Sequence, residues 1–581
     1  MVRALRRRAA GDESGIALIM VIGVTAVLAA LLVASIAYAT GQLRAARNTQ
    51  DWSAAMAAAY AGVEEYQSRI ANDTTYFQYG NPAATFGHTV PDTRTLPPVT
   101  ATNPAFGVGA TGSWANVSGS GGKAQFRYEV DNSKYSTDGT LRLRATGRAG
   151  GETRSIVADL KQQGFIDFLY FTDYEIADPQ ITGDNVSTCV KYAWAGRPSS
   201  GCSEIAFGSN DVVNGPAHSN DAMRVCAATF KGAVTTGYYP SSPPAYIKKD
   251  STGASCTGQV FSLTGYPLSS PVISMPPTNS ELKKEVRTDL TVDVPRPGCL
   301  YTGPTSITFT NDGKMTVRSP WTKKTQVVGS PATSGTAPAQ CGTPGSAAGS
   351  LGSSTGQSIA VPDNNVIYVQ NVPTVTSDPN YSSTTPSGLT VSTGANGSNG
   401  IGFPTTNETT PQFATASLPA YGYKNGDVFV KGTLSGRVTV ASENYVYVTG
   451  DMVYKDKQAD LLGLVGNNAV WVWNPMNGSN KLINDTNRNI NAAILSVAHT
   501  FQVQNYNAGG ERGSLNVYGA IAQKFRGIVH SGSNGYIKGY SYDERFRYTA
   551  PPKFLSPVTT TYGVNVWVET DPAFRSDGTY R

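Results

Sequence analysis

The sequence predicts an α+β chain. A long N-terminal helix packs on an antiparallel β-meander, and a large mainly-β domain follows, read as a right-handed parallel β-helix. Three observations lead there. An uncharged, proline-free apolar run at residues 16–39 passes directly into a helical apolar stripe. Two glycine-bounded turns then separate segments of strict alternation at residues 124–162. Beyond residue 164, short Val/Ile/Ala/Tyr runs recur between Gly, Asn, Ser and Asp, which suits stacked strands with tight turns.

The apolar run is long enough to cross a bilayer, which takes roughly 20 residues as a helix. Arg3, Arg6, Arg7 and Arg8 precede it, which predicts a cytoplasmic N-terminus and an exported remainder. In residues 40–72, Trp52, Met56, Ala59, Val63, Tyr66 and Ile70 recur in steps of four and three. That spacing gives one apolar face suited to docking a globular head. With no proline from Ile16 to Ile70, the helix would extend roughly 80 Å at about 1.5 Å per residue.

These residues resemble the class III signal and stem helix of type IV pilins, and within them PilX-type minor pilins. The resemblance covers about the first 70 residues, taking ESG-IALIM and the AAxAG-like Ala58-Ala59-Tyr60-Ala61-Gly62-Val63 in order. It implies a leader at residues 1–15, cut by a prepilin peptidase between Gly15 and Ile16. It also implies assembly with other pilins and pilus machinery through the helix. Met20 stands where most major pilins carry Glu, and Ile16 where they carry Phe. The lack of the carboxylate resembles PilX-type proteins and tip pseudopilins, and implies a rare, terminal subunit. An ordinary secretory cut after Ala37-Tyr38-Ala39 remains the rival, although its apolar core would exceed the usual span of about 7–15 residues.

The meander, in a domain spanning residues 73–163, places Phe126, Tyr128 and Val130 on one face. Leu141, Leu143, Ala145, Ile156, Ala158 and Leu160 complete it. Asp138-Gly139 and Gly150-Gly151 supply the turns. Arg127, Arg142, Arg144, Arg148 and Arg154 are read as a solvated opposite face. Residues 164–581 form the β-rich ectodomain. Ser/Thr/Gly/Pro-rich insertions at 329–358 and 374–412 are expected to bury no core, and Asn380, Asn396 and Asn407 there lie in glycosylation-type triplets. The segment Asn214-Gly215-Pro216-Ala217-His218-Ser219-Asn220-Asp221 resembles a motif of pilin-like proteins with solenoid-like heads.

Charged residues make up 15% of the chain, and the net charge is +5. Loss of residues 1–15 removes four arginines and two carboxylates, leaving about +3. Nothing there calls for nucleic acid. Cys189, Cys202, Cys226, Cys256, Cys299 and Cys341 all follow the apolar run, which in an exported chain predicts disulfides. Pairing neighbours gives Cys189–Cys202, Cys226–Cys256 and Cys299–Cys341. Without CxxC spacing no zinc site is expected, and no cofactor is assigned.

No GxSxG, HExxH or P-loop appears in the sequence context that its chemistry requires. His88, His218, His499 and His530 are read as turn-bonding histidines, the alternative being a pairing of His218 or His530 with Asp173, Glu175 or Asp221. No enzyme is expected. Tyr445, Tyr447, Trp471 and Trp473 are the candidate ligand surface for a glycan or protein, with Tyr238 and Tyr239 as further exposed aromatics. The sequence thus points to a membrane-held minor pilin, at or near a pilus tip, whose head serves adhesion or assembly priming. The alternatives are a signal-anchored adhesin outside any filament and an anchored β-helix enzyme acting on carbohydrate.

Overall fold

The structure is a computed structural model. It describes the chain apart from Met1 and residues 91, 93, 99–101, 136–139, 163, 210, 393–396, 410, 412–418 and 558–561. In residues 2–15, 74–75, 162 and 562–566 the backbone alone is described. The chain forms two compact units. One is Met1–Gln162 with Thr561–Arg581; the other is Gln163–Thr560. The boundary expected from 164 to the C-terminus is therefore corrected. The last residues leave the large unit and return to the first, because the strand Tyr562–Thr570 pairs with a strand of the meander.

In the first unit, α1 runs unbroken over Val2–Asn72. Its large apolar side chains from Ile16 to Leu43 are exposed on every side. The serine and threonine hydroxyls within that run are satisfied locally: Thr25 donates to the Val21 carbonyl at 2.8 Å, and Ser35 to that of Leu31 at 2.7 Å. Such back-bonding removes the polar groups that hydrocarbon would not tolerate.

Further along, Ala55, Ala58, Ala59, Val63, Tyr66 and Ile70 are buried against the sheet. Trp52, expected on this face, is 50% exposed instead. Its ring lies 3.5 Å from the Arg154 guanidinium carbon, a cation–π contact at the edge of the interface. Met56 is partly buried. Small residues let helix and sheet approach closely. A side chain at Gly147 would collide with the Ala55 carbonyl and the Ala59 amide.

The sheet is antiparallel, in the order β1 (Ala115–Asn116), β2 (Ala124–Asp131), β3 (Thr140–Ala149), β4 (Glu152–Gln162), then the C-terminal strand. Its alternation puts Tyr128, Leu143, Ala145, Ile156 and Leu160 under α1. The opposite face is not simply solvated. Arg142 is exposed and pairs with Asp159 at 2.8 Å, but Arg127 is fully buried. Arg127 donates to the carbonyls of Ser113, Gly112 and Gly578, and its guanidinium carbon lies 4.3 Å from the Trp114 ring and 5.2 Å from the Phe574 ring. Burial without a carboxylate partner lowers its pKa to about 10. The C-terminal segment supplies this cover, and Tyr580 Oη donates to Glu129 Oε1 at 2.9 Å.

The second unit is built from strands in parallel ladders. One ladder runs Cys299–Thr302, Asn365–Gln370, Arg437–Ser442, Leu461–Gly466, then the centre of Arg488–Val503 and the end of Glu511–Phe525. It continues through Tyr170–Tyr174, Ala217–Ser219, Val234–Thr236 and Leu268–Ser269. A second ladder stacks Thr305–Thr310, Val428–Leu434, Tyr445–Tyr454, Ala469–Val472 and the end of Arg488–Val503. A third stacks Asn534–Tyr542, Val212–Asn214, Thr229–Phe230 and Val260–Phe261 on Glu511–Phe525. The first strand of the unit therefore pairs with one of its last. The chain leaves that point in one direction as far as Ser269, reappears at the far end at Cys299, and stacks back towards its start. Val, Ile, Leu and Phe from all three ladders share one core.

The disulfides join Cys189–Cys202, Cys226–Cys256 and Cys299–Cys341. Residues 329–358, expected to bury nothing, contribute fully buried Cys341 and Leu351 to the core and pair Ser334–Thr336 with Gln326–Val328. In the second low-complexity stretch Asn380 is buried, its Oδ1 accepting from the Lys323 and Lys324 amides at 2.9 Å each. It is a structural staple and inaccessible to a glycan. Asn396 lies outside the described residues.

Candidate functional site

The stem carries the first candidate site. Ile16 and Met20 are exposed on the apolar half of α1, Met20 to 68%. Gly15 belongs to the backbone-only stretch, so the processing bond falls at the edge of the described side chains. Among the described residues one helix is long and apolar enough to cross a membrane, and its apolar window is wholly unburied.

The four aromatics expected to form a ligand surface do not form one. Tyr445, Tyr447 and Trp471 are fully buried, and Trp473 is 9% exposed. They alternate with Val446, Val448, Val470 and Val472, whose side chains fill the main core. On their own face Ile401, Phe403 and Tyr421 cover them, with Phe429 stacked on Tyr447 at 4.8 Å. A strand buried on both faces reads as a continuous apolar run, and aromatics on its outer side mimic an exposed platform. Tyr239 is exposed, whereas Tyr238 is half-buried.

His218, Ser219, Asn220 and Asp221 are also fully buried. His218 Nδ1 meets Thr235 Oγ1 at 2.8 Å, and Nε2 meets Asn220 Oδ1 at 3.1 Å. Asn220 in turn donates to Asp173 Oδ1 at 2.8 Å and to the Ile273 carbonyl at 2.8 Å. Asp221 accepts from Arg197 and from the Ala193 and Glu175 amides. Desolvation lowers the His218 pKa to about 4, so its imidazole is neutral. The segment clamps three neighbouring loops, and Asp173 is linked to His218 through Asn220. His499 Nδ1 pairs with Asp178 at 2.5 Å, and exposed His88 pairs with Asp92 at 3.1 Å. Among the described residues no cluster of three or more His, Cys, Asp or Glu is placed to hold a metal ion.

His530 lines a groove. This groove, of about 490 Å³, is bounded by Ile205, Ala206, Gly208, Ser209 and Asp211 on one side and by the connection from Arg526 to Lys538 on the other. Asp211, Arg526 and Lys538 form its charged floor. Lys538 Nζ reaches Asp211 Oδ1 at 2.7 Å, and Arg526 Nη1 reaches Glu175 Oε2 at 3.2 Å. The Arg526 guanidinium stacks over Phe207 at 3.6 Å. Burial lowers the Lys538 pKa against the pull of Asp211. Burial would raise Asp211, but Lys538 and Arg526 together hold it below its ordinary value. Sequence reasoning missed this floor. Its members lie some 300 residues apart, in no motif, and only His530 at its rim carried a signal.

No protein-family model and no curated protein matches the chain. Among solved structures, a competence-associated pilin, ComZ from Thermus thermophilus, aligns over 90% of this chain and 97% of its own. The identity is 10% and the TM-score 0.22, a likeness that carries no argument by itself.

Proposed function

We propose that the chain is a type IV pilin-like subunit of the PilX type: held in the membrane by residues 16–39, cut between Gly15 and Ile16, and assembled as a minor, tip-proximal component. The observation that carries this reading is α1 itself. One unbroken helix has an apolar half exposed all round and a second half buried on an antiparallel sheet. The exposed half needs lipid before assembly and neighbouring helices after it, since water would leave an apolar surface of that size exposed. Met20, in place of a carboxylate, favours a rare subunit.

On this reading the second unit is a parallel β-helix, supported by its three parallel ladders around one core. It is a display head, inserted between β4 and the C-terminal strand. Its role is adhesion or assembly priming, with no chemistry required. A head of this size suits a filament end better than a repeating shaft. Fractionation tests the proposal. The chain should appear in sheared filaments at a small fraction of the major subunit and disappear from them when the prepilin peptidase is deleted. Recovery only in membranes, in wild-type and deletion cells alike, would favour an anchored adhesin outside any filament.

A further inference from the structure

We propose that the groove between Asp211, Arg526, His530 and Lys538 binds a neutral saccharide of one or two rings. The proposal deepens the display-head reading, because it gives the head a ligand class. Its volume of about 490 Å³ falls within the usual range for small-ligand sites. Its floor is rigid: Lys538 is tied to Asp211, Arg526 to Glu175, and the Arg526 plane rests on Phe207. Fixed charged groups of this kind can donate to and accept from adjacent hydroxyls with little reordering.

The charges decide the ligand. Arg526 and Lys538 are neutralised by Glu175 and Asp211, and Glu511 adds a carboxylate at the wall. A phosphate, sulfate or uronate would meet no unpaired cation and one extra negative charge. A hydroxyl-rich neutral ligand suits both donors and acceptors. Half-buried His530 forms part of this wall. Ile537, exposed, gives the apolar surface that the C–H face of a sugar ring packs against.

The test uses the full chain in detergent on an array of neutral mono- and disaccharides printed beside glucuronate- and sialate-bearing ones. Neutral sugars should bind. His530→Ala, which removes part of the wall, should weaken them about fivefold, as for the loss of a small contact area. Ser533→Trp, on an exposed turn, should fill the groove and abolish binding with no change in melting temperature. Glu511→Gln should leave neutral sugars within about twofold and admit glucuronate, as expected from removing one like charge. Absence of neutral binding, preference for acidic sugars, or binding untouched by Ser533→Trp would overturn the proposal. Filament assembly is scored separately, so a failure here leaves the pilin reading standing, and the reverse.

Discussion

The two units bury aromatic residues in opposite ways. In the first, Tyr66, Tyr76, Tyr128 and Phe106 meet edge-to-face or tilted within one helix-on-sheet core. Their partners lie on a helix and strands whose periods are visible in the sequence. In the second, Phe429, Tyr445, Tyr447 and Trp471 form a layer on the outer face of the ladder strands, closed by Ile401, Phe403 and Tyr421 from the connection that precedes Val428–Leu434. Period locates a residue on a face, but whether that face is covered depends on chain elsewhere. The same Val/Tyr alternation is compatible with a binding platform and with a second core.

The comparison can be broken at several points. The largest effect is expected in the outer layer: Trp471→Ala should destabilise the second unit by about 3–5 kcal/mol, as for other large-to-small core changes. Denaturant unfolding checks this. A loss below about 0.5 kcal/mol, the size of a surface change, would mean that Trp471 is exposed after all. Next, Gly147→Val in the first unit should cost about 1–3 kcal/mol by forcing α1 off the sheet. Its signature would be protease cleavage near residues 55–59 with the second unit still intact.

A third test uses pH. Asp427 is fully buried; Asn444 and the Tyr445 amide bond its Oδ1, while Oδ2 has no partner. Desolvation raises its pKa to about 8, so the folded state holds a proton that the unfolded chain releases near its ordinary value of 3.8. The stabilisation is complete below the unfolded value and is lost as pH rises towards about 8. His218 acts at the other end: its pKa is depressed to about 4, so stability falls as pH drops from about 6.5 towards that value. Melting temperatures of wild type and Asp427→Asn between pH 5 and 9 should diverge in slope, with the variant flatter. Parallel slopes would remove Asp427 from the account. The smallest effect is expected for Arg142→Ala on the exposed sheet face, within about 0.5 kcal/mol, as for other surface ion pairs.

What was legible in the sequence was what local period determines. The stem, the buried positions Ala59, Val63, Tyr66 and Ile70, and the meander's alternating face all follow from spacing over a few residues. Trp52 was misplaced because it sits at the end of the stripe, where the sheet edge leaves it half open. The return of Tyr562–Thr570 to β4 was illegible because that pairing joins strands about 400 residues apart, with no local mark. The same holds for Arg127, whose cover comes from Gly578 and Phe574. Low-complexity composition misled at Leu351, since one buried leucine and a disulfide suffice to anchor a polar stretch.

The most direct test of the central claim is the mass of the N-terminal peptide from membrane and sheared-filament fractions. The account predicts a chain beginning at Ile16 in filaments. A chain beginning at Thr40, freed of its apolar helix, or an intact leader in cells with active prepilin peptidase, would contradict it.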